Sequence, residues 1–164
     1  MAADEKGIQI RRGELRDTAV LAGFNIAMAA ETESLELLPE VISAGVAAIL
    51  ADPGRGFYLL AEFGGEVAGA LMVTSEWSDW RNGFFWWIQS VYVRPEFRRQ
   101  GIYRSLHEHL RQLAKTEPNV CGLRLYVERE NERAQATYSR LGMRETHYLL
   151  YEELKQGLRF RQGD

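Results

Sequence analysis

Three arginines crowd one glycine between an apolar strand and an amphipathic helix: Arg94, Arg98 and Arg99 precede Gly101. The stretch from Ile88 to Lys115 therefore reads as strand, basic turn and helix. The first N–H groups of a helix lack intrahelical partners, and the helix macrodipole puts partial positive charge at the same end. A strand leading through such a turn into a helix is a place to hold an anion, and phosphate above all. Arg98 and Arg99 add charge-assisted donors there, and Gly101 lets backbone come close to a ligand where a β-carbon would obstruct it.

Charge is unevenly spread around this turn. From Glu31 to Asp52 there are five carboxylates and no Lys or Arg, whereas Arg94 to Arg111 holds five arginines against two glutamates. An acidic stretch beside a basic turn suits an anionic ligand together with a cationic one; each run is also what a solvated surface would carry. The formal net charge of −3 gives no global reason to expect nucleic acid.

The elements that must position the turn follow from periodicity. The 164 residues, with 46% apolar and 26% charged, suit one globular domain, with a core over residues 7–154 and a loose tail over 155–164. Residues 7–12 alternate as a first strand, and Glu14 to about Ala30 has helical spacing. Residues 31–38 read as a polar loop or frayed helix end, and Pro39 opens a second helix to about Ala51. Residues 57–63 and 66–76 form a hairpin through Gly64-Gly65, and Asn82-Gly83 turns a second hairpin into a strand over 84–93. Strict alternation on that strand places Phe85, Trp87, Val91 and Val93 on one face and Phe84, Trp86, Ile88 and Tyr92 on the other. The helix from Gly101 carries Ile102, Leu106, Leu110 and Leu113 as its buried stripe, with His109 in the stripe and His107 pointing away. A strand over 122–128, a short helix capped by Asn131 and ended by Gly142, and a last strand over 143–154 complete the order. The expected fold class is α/β (α+β), a mixed sheet of about six or seven strands with helices on both faces.

Three motifs in this order resemble the Gcn5-related N-acetyltransferases, the GNAT superfamily. Val91-Tyr92-Val93-Arg94-Pro95 is similar to its V-x-V-x-P strand end. Arg98 to Tyr103 is similar to its R/Q-x-x-G-x-G/A turn. Asn131, Ala134, Tyr138, Gly142 and Met143 follow its N-x-x-A-x-x-x-Y-x-x-x-G-F/M pattern. The element order matches over about residues 7–154. The resemblance implies the GNAT acyl-CoA N-acyltransferase fold and acetyl-CoA (coenzyme A) as co-substrate. The pyrophosphate would be gripped by the amides and side chains of Arg98, Arg99, Gln100, Gly101, Ile102 and Tyr103. The pantetheine arm would lie along Val91, Tyr92 and Val93 as an added strand, with Asn131 touching it. Tyr138 would be the general acid that protonates the leaving thiolate, and a backbone N–H near Val91 would hold the developing oxyanion. Tyr103 departs from the pattern, which prefers Gly or Ala; its ring must lie against the sheet or along the cofactor.

The acceptor half is less defined. Glu31 and Glu33 are candidates for the base that accepts the amine's proton, and Glu76, Trp77, Asp79 and Trp80 near the second hairpin are candidates for an acceptor pocket. An aromatic wall with carboxylates would suit a cationic amine; the same tryptophans would equally serve a core or a homodimer interface. Packing of Tyr138 with Ala134 and Leu141 is its purely structural alternative. His107, His109 and His147 have no metal-ligand spacing, so no metal is expected. Cys121, the one cysteine, allows no intrachain disulfide and reads as a small apolar residue. The N-terminal ten residues lack the plan of a signal peptide, and no apolar run approaches the ~20 residues of a membrane span, so the expected compartment is cytoplasmic. The sequence thus points to an acetyl-CoA-dependent N-acetyltransferase acting on a primary amine by direct attack in a ternary complex. A catalytically silent coenzyme A-binding regulatory or interaction module is the alternative.

Overall fold

A computed structural model describes residues 7–164; the reading of the extreme N-terminus as free of a signal plan falls largely on residues 1–6, outside the described residues. A sheet in the order β1-β2-β3-β4-β5 forms from Gln9–Arg12, Phe57–Phe63, Glu66–Ser78, Gly83–Val93 and Val120–Arg124. The first four strands pair antiparallel and β5 joins β4 in parallel. That parallel step needs a crossover, which α3 (Ile102–Thr116) supplies.

Alternation on β2 divides the core. Leu59 and Ala61 join Ile8, Leu71, Ile88, Ile102, Leu106 and Leu110 beneath α3. Tyr58 and Leu60 join Leu21, Phe24, Val46 and Ile49 beneath α1 (Thr18–Glu33) and α2 (Pro39–Ala51). Leu59 and Leu60 are fully buried on opposite faces, each contributing about 1.5–3 kcal/mol of hydrophobic transfer. The mixed sheet with helices on both faces is the architecture expected, with five strands.

Four local expectations are corrected. First, α1 runs past Ala30 to Glu33 and ends where Ser34 turns left-handed at φ +53°, so Glu31 and Glu33 sit on its last turn, the helix end of the two alternatives, and the loop begins only at Ser34. Second, β5 ends at Arg124 rather than Glu128. Third, residues 143–154 form no strand: Tyr148, Leu149, Leu150 and Tyr151 are exposed in succession, and an apolar run without alternation specifies no single face to bury. Fourth, the tail is not wholly loose, because the Leu38 N–H donates to the Phe160 carbonyl at 2.9 Å and the Gln162 N–H to the Glu36 carbonyl at 2.8 Å.

On α3 the buried histidine is His107, not His109. Leu106, His107 and Leu110 share the inward arc, and polar partners from α3 itself satisfy the His107 ring. No helix among the described residues is long and apolar enough to cross a membrane.

Candidate active site

The site begins with a fault in β4. Ser90 has φ +49°, and the register with β3 shifts between Ala70 and Met72. A one-residue slip moves every later side chain to the opposite face. Trp86 and Ile88 accordingly face α3, whereas Tyr92 packs against Phe24 on the α1 side and Val91 and Val93 turn towards α3. Strict alternation had grouped Tyr92 with Trp86 and Ile88; the bulge corrects that grouping. It also delivers Val91 and Val93 to the side where the helix begins.

The sheet opens at the same level. Pairing of β4 with β5 covers Phe84–Trp87 on β4, so the segment from Ile88 to Val93 has no β5 partner along that edge. A short 3-10 turn at Pro95–Phe97 then leads to Arg98, Arg99 and Gly101. Arg99 and Gly101 both take positive φ, +63° and +88°, with Gly101 as the N-cap of α3. Such alternation of backbone hand turns successive N–H groups into one concavity that favours an anion. The first helical bond is donated by Ser105 N–H to the Gly101 carbonyl at 2.9 Å. The N–H groups of Ile102, Tyr103 and Arg104 precede it and have no helical carbonyl to bind.

A cavity of about 870 Å³ joins these features. Its wall includes Val91, Tyr92, Val93, Gly101, Ile102, Tyr103 and Asn131, together with Met28, Glu31 and Thr32 from α1. Six arginines line it (Arg98, Arg99, Arg104, Arg111, Arg133 and Arg140) against two carboxylates, Glu31 and Glu108. A strong positive excess beside an open strand edge and a helix N-terminus fits a ligand with phosphates at one end and amides at the other. The chain therefore has the donor set for coenzyme A.

Most of the expected cofactor residues meet here. Arg98 is already engaged: its Nε donates to the Val93 carbonyl at 2.8 Å and its Nη2 to Glu31 Oε2 at 2.8 Å. Tyr92 donates its hydroxyl to Glu31 Oε1 at 3.2 Å, and burial, then the nearby Glu31 charge, pushes its phenol up. Glu31 thus ties the end of α1 to the basic turn. Gln100 turns its amide to the Glu96 carbonyl at 2.9 Å, away from the lining. Arg94 pairs with Glu96 at 2.6 Å and stays outside as well.

Asn131 caps α4 (Glu132–Arg140) by accepting the Ala134 N–H at 3.1 Å, and Gly142, at φ +92°, follows the helix as expected. Tyr138 on α4 sets its ring edge-on against Tyr103, with centroids 5.8 Å apart. Thr137 and Leu141 line the cavity; Tyr138 stands behind Tyr103 rather than on the wall itself. Burial pushes the Tyr138 phenol above its usual 10.

The acceptor candidates scatter. Glu33 is exposed, two residues beyond Glu31 and off the lining. Glu76 accepts from Arg124 at 2.6 Å, Trp77 packs edge-on against Phe84, Asp79 accepts the Trp80 N–H at 2.9 Å, and Trp80 is 87% exposed. These four lie at the tip of the β3–β4 hairpin and do not join the cavity wall. Arg104 with Arg111 on α3, and Arg133 with Arg140 on α4, were not singled out from sequence. Each pair is spaced two helical turns apart and so shares a face, which was the available signal. Among the described residues no group of three or more His, Cys, Asp or Glu side chains could hold a metal ion.

The sequence model of the Acetyltransferase (GNAT) family matches residues 22–143. The chain belongs to that family. It is also similar to a protein described as a possible acetyltransferase from Clostridium difficile 630, at 44% identity and a TM-score of 0.85, over 90% of this chain and 97% of that one. More distant GNAT-fold structures include a predicted acetyltransferase from Clostridium acetobutylicum solved with acetyl-CoA, at 18% identity and TM-score 0.73 over 89% and 96% of the two chains. An aminoglycoside acetyltransferase from an uncultured soil metagenomic sample aligns at 19% identity and TM-score 0.70 over 90% and 99%. At such identities these two show the fold alone. No curated protein sequence matches the chain.

Proposed function

We propose that this GNAT-family chain transfers the acetyl group of acetyl-CoA to a primary amine by direct attack within a ternary complex. The observation that carries the reading is the convergence of the open β4 edge, the amide concavity at Gly101 and six arginines on one cavity. The N–H groups and arginines of the 98–103 turn would hold the pyrophosphate, and Val91 to Val93 would pair with the pantetheine amides. In taking up phosphate, Arg98 gives up its bonds to Glu31 and Val93.

When bound, acetyl-CoA supplies an acetyl group activated as a thioester. The amine nitrogen forms its bond to the carbonyl carbon, the carbon–sulfur bond breaks, and Tyr138 gives its phenolic proton to the departing sulfur. A backbone N–H near Val91 holds the charge that develops on the carbonyl oxygen. Glu31, at the cavity wall, is better placed than Glu33 to take the proton shed by the amine. An acidic α1 end beside the cavity favours a cationic acceptor, and the fold of the aminoglycoside acetyltransferase is compatible with one.

A second reading, a coenzyme A-binding module without turnover, draws on the position of Tyr138 behind Tyr103. Release of free thiol from acetyl-CoA over a panel of polyamines, aminoglycosides, amino acids and peptide N-termini separates the two. Amine-dependent thiol release with at least one member is expected; tight acetyl-CoA binding with no transfer to any would favour the module.

A further inference from the structure

The cavity wall contains one residue that the family pattern does not ask for. Tyr103 is on the first turn of α3, where a small residue would suffice, and its ring lies among the core beneath α3 as well as on the cavity. Two neighbours fix it. His107 Nδ1 lies 3.4 Å from the Tyr103 hydroxyl, and His107 Nε2 lies 3.2 Å from Nη2 of Arg111.

These contacts have only one consistent direction. A guanidinium donates and cannot accept, so Nε2 carries the lone pair. Burial first, and Arg111 second, hold the His107 pKa below its ordinary value, so the ring is neutral and its one hydrogen sits on Nδ1. That hydrogen is donated to the Tyr103 oxygen, which leaves the phenolic hydrogen of Tyr103 to point elsewhere than His107. Arg111 also donates to the Leu141 carbonyl at the end of α4. The same arginine therefore anchors both the histidine behind Tyr103 and the helix that carries Tyr138.

We propose that Tyr103 is a positioning residue for Tyr138, its ring locked by the Arg111–His107 chain so that it holds the Tyr138 ring edge-on and shuts water away from it. The proposal rests on the role given to Tyr138 above. It also accounts for the tolerance of a large residue at this place in the turn: the ring leaves the phosphate amides clear and packs towards α4 instead. The other charged groups on the shared cavity are Glu31 on α1, Arg98 and Arg99 in the turn, Arg104 and Glu108 on α3, and Arg133 and Arg140 on α4; the sheet side presents the apolar Val91 and Val93. Exposure of Tyr138 to water among these arginines would favour its phenolate. Burial is what pushes it the other way.

The test reads Tyr138 directly, by NMR titration of the protein labelled with carbon-13 at tyrosine Cζ, alongside kcat against pH. Tyr103→Ala is expected to lower the Tyr138 pKa by about one unit or more, a shift resolvable on this scale, and to move the alkaline limb of kcat down with it. Tyr103→Phe keeps the ring but loses the hydroxyl that His107 holds, and is expected to move the Tyr138 titration and that limb in the same direction by less than the alanine variant does. Tyr103→Leu, which keeps apolar bulk for the core, stands in if the alanine variant does not fold, and is expected to shift in the same direction. An unmoved Tyr138 titration in the alanine or leucine variant overturns the proposal, whatever happens to turnover. A titration that moves while the kcat limb does not would instead remove Tyr138 from the acid role and leave the packing role of Tyr103 standing.

Discussion

Tyr138→Phe lowers kcat by tenfold or more while acetyl-CoA affinity stays within about twofold. Positioned general acids contribute about 10²–10⁴-fold, and phenylalanine keeps the ring that packs on Tyr103 at 5.8 Å. The loss should therefore fall on the proton and not on the fold, appearing equally in kcat and kcat/KM. The pH dependence has a definite sign. Burial raises the phenol above its ordinary 10, and an acid acts in its protonated form, so wild-type kcat should persist to above pH 10 and fall beyond it. The phenylalanine variant should lack that alkaline limb. Steady-state kinetics across pH with an active amine reads both effects, and an unchanged kcat would exclude Tyr138 from the chemistry.

Gly101→Val is expected to cost about 10–100-fold in acetyl-CoA affinity. Gly101 holds φ +88° next to Arg99 at +63°, a region that costs a β-branched residue roughly 1–3 kcal/mol. One way to relieve that strain is to rotate the turn, which redirects the amides of Ile102 and Tyr103 away from the cavity. The alternative is a valine side chain beside the amides where phosphate would lie. Both outcomes weaken the same ligand, and each 1.4 kcal/mol is tenfold in binding. Isothermal titration with acetyl-CoA measures it, with thermal unfolding as the control for folding. Affinity within twofold of wild type in a folded variant would contradict the placement of the pyrophosphate.

Features carried by residue type over a short span were legible in the sequence. Gly101 announces the left-handed turn that opens α3, and Asn131, Gly142 and the helical spacing of α3 announce their own caps and faces. Features that depend on a single-residue shift or on tertiary packing were not. The bulge at Ser90 inverts the faces of Tyr92, Val91 and Val93 without any proline or glycine to mark it. His107 rather than His109 is buried because Tyr103 and Arg111 satisfy its two nitrogens, which spacing alone cannot reveal. Glu31 was drawn out of the acidic run as a base candidate, yet its bonds to Arg98 and Tyr92 tie it first to the cofactor turn. The hairpin residues Glu76, Trp77, Asp79 and Trp80 are joined by proximity in sequence, and their ion pair, ring contact and turn contacts are local to the hairpin and β5.

The central claim is that one cavity, between the open edge of β4 and the start of α3, binds the acyl donor. A crystal structure of the protein with coenzyme A tests this most directly. The account predicts the pyrophosphate within hydrogen-bond reach of the amides from Arg99 to Tyr103, Arg98 released from Glu31, and the pantetheine amides along Val91 to Val93. Coenzyme A bound elsewhere, with the Arg98–Glu31 pair intact and the β4 edge uncovered, would contradict it.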